Sequence, residues 1–151
     1  MDNMPHLIVA KGYEQYFLRF SYFPSNSPLW EFVEFNKDDS WEACTFAATG
    51  RNWIYITGVR QGTQQFLYCD GVLVDSTASI YPANGNNRNS SNDLTIGKFI
   101  NAISLPNDNT GYCFFKGSID ELRIMSRSHT SDWVRLCYMN QRVDDRLIMF
   151  K

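Results

Sequence analysis

The sequence predicts an all-β chain, a two-layer antiparallel sandwich closed by one short C-terminal helix. Three observations predict it. First, Trp53 to Ser76 (WIYITGVRQGTQQFLYCDGVLVDS) reads as three short strands joined by two tight turns, at Gln61-Gly62 and Asp70-Gly71. Gly, and to a lesser degree Asp, tolerates the positive φ that two-residue hairpin loops demand. Second, short segments of period-two alternation recur along the chain, about ten in all, and several are separated by Pro, Asn, Ser and Gly. Third, only one stretch has helical spacing, from Ser131 to near Arg142.

The three-strand segment fixes its own faces. With Val59 opposite Gln64, Ile56 pairs with Leu67 and Ile54 with Cys69; across the second turn Cys69 pairs with Val72 and Leu67 with Val74. One face is then Ile54, Ile56, Leu67, Cys69, Val72 and Val74, all apolar. The other holds Trp53, Tyr55, Thr57, Phe66, Tyr68, Leu73 and Asp75. A slip of one residue would exchange the two sets, so the agreement of both turns on one apolar face is informative.

The remaining elements follow in order. His6 to Lys11 is a short apolar run ended by Gly12, and Gln15 to Tyr22 alternates Tyr16, Leu18, Phe20 and Tyr22 against Phe17, Arg19 and Ser21. A loop from Pro24 to Pro28 leads into Leu29 to Phe35, and Asn36 to Ser40 turns the chain into a strand from Trp41 to Phe46. Tyr81 to Asp93 is a long Asn- and Gly-rich loop, since these residues supply tight bends. Leu94 to Phe99 is a strand, Asn101 to Gly111 a second loop, and Lys116 to Met125 (KGSIDELRIM) a further strand with one irregular position. Ser131 caps the helix, with Asp132 in its first turn and Trp133, Val134, Leu136, Cys137 and Tyr138 as its apolar positions. Leu147 to Phe150 is the last strand.

Composition narrows the function. A chain of 151 residues fits one domain, 1–151, with a core of its own. A net charge of −2 and a pI near 5.6 argue against nucleic-acid or anionic-membrane partners. No apolar run is long enough to span a bilayer, and no N-terminal segment has the pattern of a signal peptide. Cys44, Cys69, Cys113 and Cys137 lack zinc-site spacing and read as small buried hydrophobes, with a disulfide open if the module is exported.

The segments NWIYITGVRQGTQQFLYCDGVLV, LTIGKF and FKGSIDELRI, followed by SDWVRLCYMNQRVDDRLIMF, resemble in kind and order a laminin-G-like (LamG) module. That family is part of the concanavalin A-like lectin/glucanase superfamily, and the likeness is to modules of secreted bacterial carbohydrate-active or surface proteins. The resemblance implies a jelly-roll of two curved sheets, a secreted or cell-surface setting within a larger protein, and polysaccharide, cell-surface glycan or protein partners. It implies a structural calcium ion in many relatives, for which Asp120 in the "IDE" strand is the matching ligand, the family's N-terminal partner carboxylate having no counterpart here. The family opens with one or two further strands ahead of the stretch equivalent to HLIVAKG, so either the piece is a truncated module or its open sheet edge is filled by a homodimer partner or by a strand from another chain.

Three functions are weighed. A non-catalytic carbohydrate-binding module would stack sugar C–H surfaces on aromatic rings, and Tyr55, Phe66 and Tyr68 share a face, with Trp30 or Trp41 added from a neighbouring strand. A structural or adhesive module would bind protein and hold no sugar. A glycoside hydrolase needs two carboxyl groups roughly 5 Å apart for the retaining reaction. Glu31 and Glu34 have opposite parity, adjacent Asp120 and Glu121 point apart, and no strand has the E-x-D-x-x-E pattern of the superfamily's glucanases, so the chain is expected not to be an enzyme.

Overall fold

The computed structural model describes residues 5–12, 15–21, 27–36, 40–50, 53–78, 91–98 and 114–142. Within them the chain forms eight strands and one helix: β1 (His6–Lys11), β2 (Tyr16–Ser21), β3 (Leu29–Phe35), β4 (Trp41–Ala47), β5 (Ile56–Gln61), β6 (Gln64–Cys69), β7 (Val72–Ala78), β8 (Leu94–Ile96) and α1 (Ser131–Met139). They make two antiparallel sheets, one ordered β4-β3-β2-β1-β8 and the other β5-β6-β7.

The core lies between the sheets. Val9, Leu18, Phe32 and Cys44, one from each of four adjacent strands, meet Leu67 of β6, with Tyr16, Phe46 and Ile56 packed around them. Gly58 allows the approach: a methyl group there would lie 2.6 Å from the Phe32 ring. The far face of the five-stranded sheet is also buried, around Leu7, Ala10, Phe17 and Val33. There Glu31, 1% exposed, accepts a hydrogen bond from Arg19 Nε at 2.5 Å, and the guanidinium lies 4.8 Å from the Phe17 ring centre.

The three-strand segment folds back and forth as expected, with a shifted register. Ile56 pairs with Cys69 and Val59 with Phe66, because the first loop is Gly62-Thr63, with Gly62 at φ +61°. The shift is two residues, so parity is kept and Ile56 and Leu67 still face the core. Asp70 and Gly71 both take positive φ, as a type I′ turn requires, and Cys69 pairs with Val72 as expected. Beyond it a bulge places Asp75, not Val74, opposite Leu67. The displaced carboxylate accepts from the Thr45 backbone N–H at 2.7 Å and joins β7 to β4, the edge of the other sheet. Val72 and Val74 remain exposed, at 64% and 39%.

Two other expectations change. Lys116 to Met125 forms no strand, and its neighbourhood contributes a single bridge between Leu7 and Phe114. The helix cap is Thr130 rather than Ser131: its hydroxyl accepts from the Trp133 N–H, and Asn140 ends the helix. The predicted strand at 147–150 lies outside the described residues, as do the loop 81–90 and Cys113. Cys44, Cys69 and Cys137 are free thiols, and Cys44 and Cys137 are buried.

Cys44 gives the fold a pH dependence. Burial, aided by the nearby Asp75 charge, pushes its thiol up to about 11. An unfolded chain releases that proton near pH ~9, so between about pH 9 and 11 the native state binds more protons and stability falls as pH rises. Burial also pushes the Tyr16, Tyr55 and Tyr68 phenols up, which extends the loss at higher pH. Urea midpoints taken across this range should decline, and Cys44→Ala should flatten the first part of the slope.

Candidate ligand-binding surface

The aromatic face of the three-stranded sheet is roofed by α1. Tyr68, 6% exposed, clusters with Val59 and with Val134 of the helix, and Tyr55, Phe66 and Trp133 pack against them. The Tyr55 ring lies 6.0 Å from that of Tyr138. Gly71 lets the helix sit this low, since a Cβ there would lie 3.1 Å from the Arg135 Cα and from the Tyr138 ring. Tyr55, Phe66 and Tyr68 share one face as expected, and the nine-residue α1 packs against that face, with Tyr68 buried and Tyr55 and Phe66 half-buried.

Trp30 and Trp41 do not join them. Trp30 pairs with Phe46 on the core side of β3, half-buried, with its ring edge-on to Phe20 at 5.2 Å and 6.5 Å from Phe115. Trp41 pairs with Phe35 on the opposite side of the same sheet and is 45% exposed. The most exposed large ring among the described residues is Trp53, at 69%, just ahead of β5. It belongs to the same parity set as Tyr55, yet it lies outside the cluster beneath α1. Its position at the start of the segment, before the first paired residue Ile56, was the available signal.

The carboxylates are engaged elsewhere than in a cleft. Glu31 faces outward to Arg19, while Glu34 faces the second sheet and accepts from Arg60 Nη1 and from Gln65 Nε2, the latter at 2.8 Å. Their opposite parity is as expected. Glu121 accepts from Arg123 at 3.0 Å on the surface. Asp120 is exposed, and among the described residues no group of three or more His, Cys, Asp or Glu side chains could hold a metal ion. His6 Nδ1 donates to the Phe114 carbonyl at 2.7 Å, and His129 stacks on Trp133 with ring centres 4.0 Å apart, so both histidines have structural surroundings.

Two antiparallel sheets packed face to face, with a helix over the smaller sheet, define a two-layer β-sandwich. Residues 2–135 match the Laminin_G_3 family of the concanavalin A-like lectin/glucanases superfamily, and the chain belongs to that family. Among solved structures it is similar to an S-layer domain-containing protein from Clostridium thermocellum ATCC 27405, at 18% identity and a TM-score of 0.46. That alignment covers 91% of this chain and 65% of the other. No curated protein matches it in sequence. No helix among the described residues is long and apolar enough to cross a membrane.

Proposed function

We propose that the chain is a non-catalytic, lectin-like module that binds polysaccharide or cell-surface glycan through exposed indole rings, as part of a secreted or surface protein. One observation supports this most directly: Trp53 holds 69% of its surface open to solvent. A flat ring kept out of the core is costly in water and stacks well on the C–H face of a pyranose. Trp41, at 45%, is the second candidate and the one retained from the aromatic residues singled out in the sequence. Trp30 serves the core side, and Tyr55, Phe66 and Tyr68 serve the seat of α1.

Affinity electrophoresis against a panel of soluble polysaccharides tests the reading. Retention by at least one glycan is expected, with Trp53→Ala weakening it roughly tenfold, as loss of one stacking contact of about 1–1.5 kcal/mol implies. The thermal midpoint should stay unchanged, because the ring packs on so little. No retention on any glycan, or full retention by the Trp53→Ala and Trp41→Ala variants together, would sink it.

The alternative, an adhesive module that docks protein and holds no sugar, is favoured by a different observation. The segment after Phe115 presents Ile119, Leu122, Ile124 and Met125 to solvent.

A further inference from the structure

We propose that Asp70 is a positioning residue whose carboxylate fixes the backbone that presents the Trp53 indole, a role in binding that rests on Trp53 being the stacking ring. Trp53, Ile54 and Tyr55 precede Ile56, the first paired residue of β5, so the exposed indole stands on a lead-in and not on the ladder itself. Two hydrogen bonds tie that lead-in to the turn after β6. The Asp70 N–H donates to the Tyr55 carbonyl at 2.8 Å, and the Asp70 carboxylate oxygen Oδ1 accepts from the Tyr55 N–H at 2.9 Å.

The carboxylate stands in for a backbone group. In a regular antiparallel ladder the two residues of a hydrogen-bonded pair exchange both N–H···O=C bonds. Tyr55 and Asp70 make one of these bonds, and a side-chain oxygen takes the part of the Asp70 carbonyl in the other, because Asp70 has left the β region for φ +51°. Pairing thus runs one step past Ile56 and Cys69, and both peptide planes flanking Tyr55 are held. Only the two backbone torsions of Ile54, itself half-buried, separate the first of those planes from the peptide that Trp53 begins. An indole on a loose lead-in would have to be ordered as a sugar docks, which weakens binding roughly two- to tenfold.

A second demand on this position is separable from the first. As the first central residue of a type I′ turn, Asp70 needs positive φ, and glycine meets that need without strain. Glycine lacks the acceptor. Asparagine meets both demands, since it tolerates positive φ and keeps a side-chain carbonyl oxygen. Asp70→Gly therefore removes the tie and leaves the turn, whereas Asp70→Asn keeps both. Gly71, which seats α1 against Arg135 and Tyr138, is unchanged in either variant.

Nuclear magnetic resonance of the full chain and affinity electrophoresis together read the outcome. In Asp70→Gly the Tyr55 amide should exchange with solvent roughly tenfold faster, as loss of one charge-assisted bond implies, and the heteronuclear NOE of the Trp53 amide should fall. Asp70→Asn should bring both back toward the parent. On a glycan that retains the parent, Asp70→Gly should bind roughly two- to tenfold more weakly, and that loss should vanish in a Trp53→Ala background, where there is no indole left to position. Glycine in place of Asp70 also loosens the unfolded chain and lowers the thermal midpoint, which alters neither comparison. An equal loss of affinity in the Trp53→Ala background overturns the proposal, as do Tyr55 and Trp53 amides indifferent to Asp70→Gly. If no glycan retains the parent, the sugar reading falls, and the exchange and NOE data still decide whether Asp70 holds the Trp53 backbone.

Discussion

Replacing Arg60 with methionine should lower stability by about 3–5 kcal/mol, the cost of leaving a buried carboxylate without its cation. Arg60 lies on β5, and its Nη1 donates to Glu34 Oε2 on β3 of the facing sheet. Gln65, paired with Arg60 across the β5–β6 ladder and fully buried, donates to the same oxygen. The Glu34 and Arg60 side chains are only 13% and 16% exposed, so water cannot replace the lost partner well. With the guanidinium gone, one amide would hold the charge. The Glu34→Leu/Arg60→Met double variant should recover most of the loss, because a well-packed apolar pair can match a buried ion pair. Urea denaturation of the single and double variants checks both statements, and a single variant within about 1 kcal/mol of the parent would show that the clasp contributes little.

Val134→Asp should be similarly damaging, at about 3–5 kcal/mol, by a different route. Val134 has no exposed surface and is the residue by which α1 reaches Val59 and Tyr68. A helix of this length is marginal alone and depends on its docked face. A carboxylate placed there meets only apolar neighbours within that cluster, so the helix must either lift or hold an unpaired charge. Lifting uncovers Phe66 and Tyr68, and the expected readouts are a lower urea midpoint, a change in Trp133 fluorescence and binding of a hydrophobic dye. A variant with unaltered midpoint and fluorescence would mean that α1 contributes little to the native state.

These two positions also show how far the residues alone could be read. Glu34, Arg60 and Gln65 have the same parity as Phe32, Gly58 and Leu67 on their strands, so the pattern placed polar groups on the core side. It could not pair β3 with the β5–β6 hairpin, because sheet-to-sheet alignment depends on packing between strands far apart in sequence. The bulge that turns Asp75 inward to Thr45 was illegible for a similar reason: a single extra residue changes parity without a composition signal. Turn chemistry was legible, and the Asp70-Gly71 hairpin kept its register, whereas the first turn moved by one residue, and the pairing across it by two, because Gly62 leads its loop instead of ending it.

What the chain determined locally was the all-β class, the strand positions around the two glycine turns, the faces of β5 and β6 and the single helix, since each depends on alternation, capping and turn residues within a few positions. Tertiary structure alone decided what those faces meet. Tyr55, Phe66 and Tyr68 share a side because side chains alternate, but Tyr68 is buried and the other two half-buried because Val134, Trp133 and Tyr138 arrive from a segment more than sixty residues away. Among the described residues Trp53 stays open because it lies outside the cluster beneath α1. Burial is a property of two surfaces, and a strand's sequence specifies only one of them.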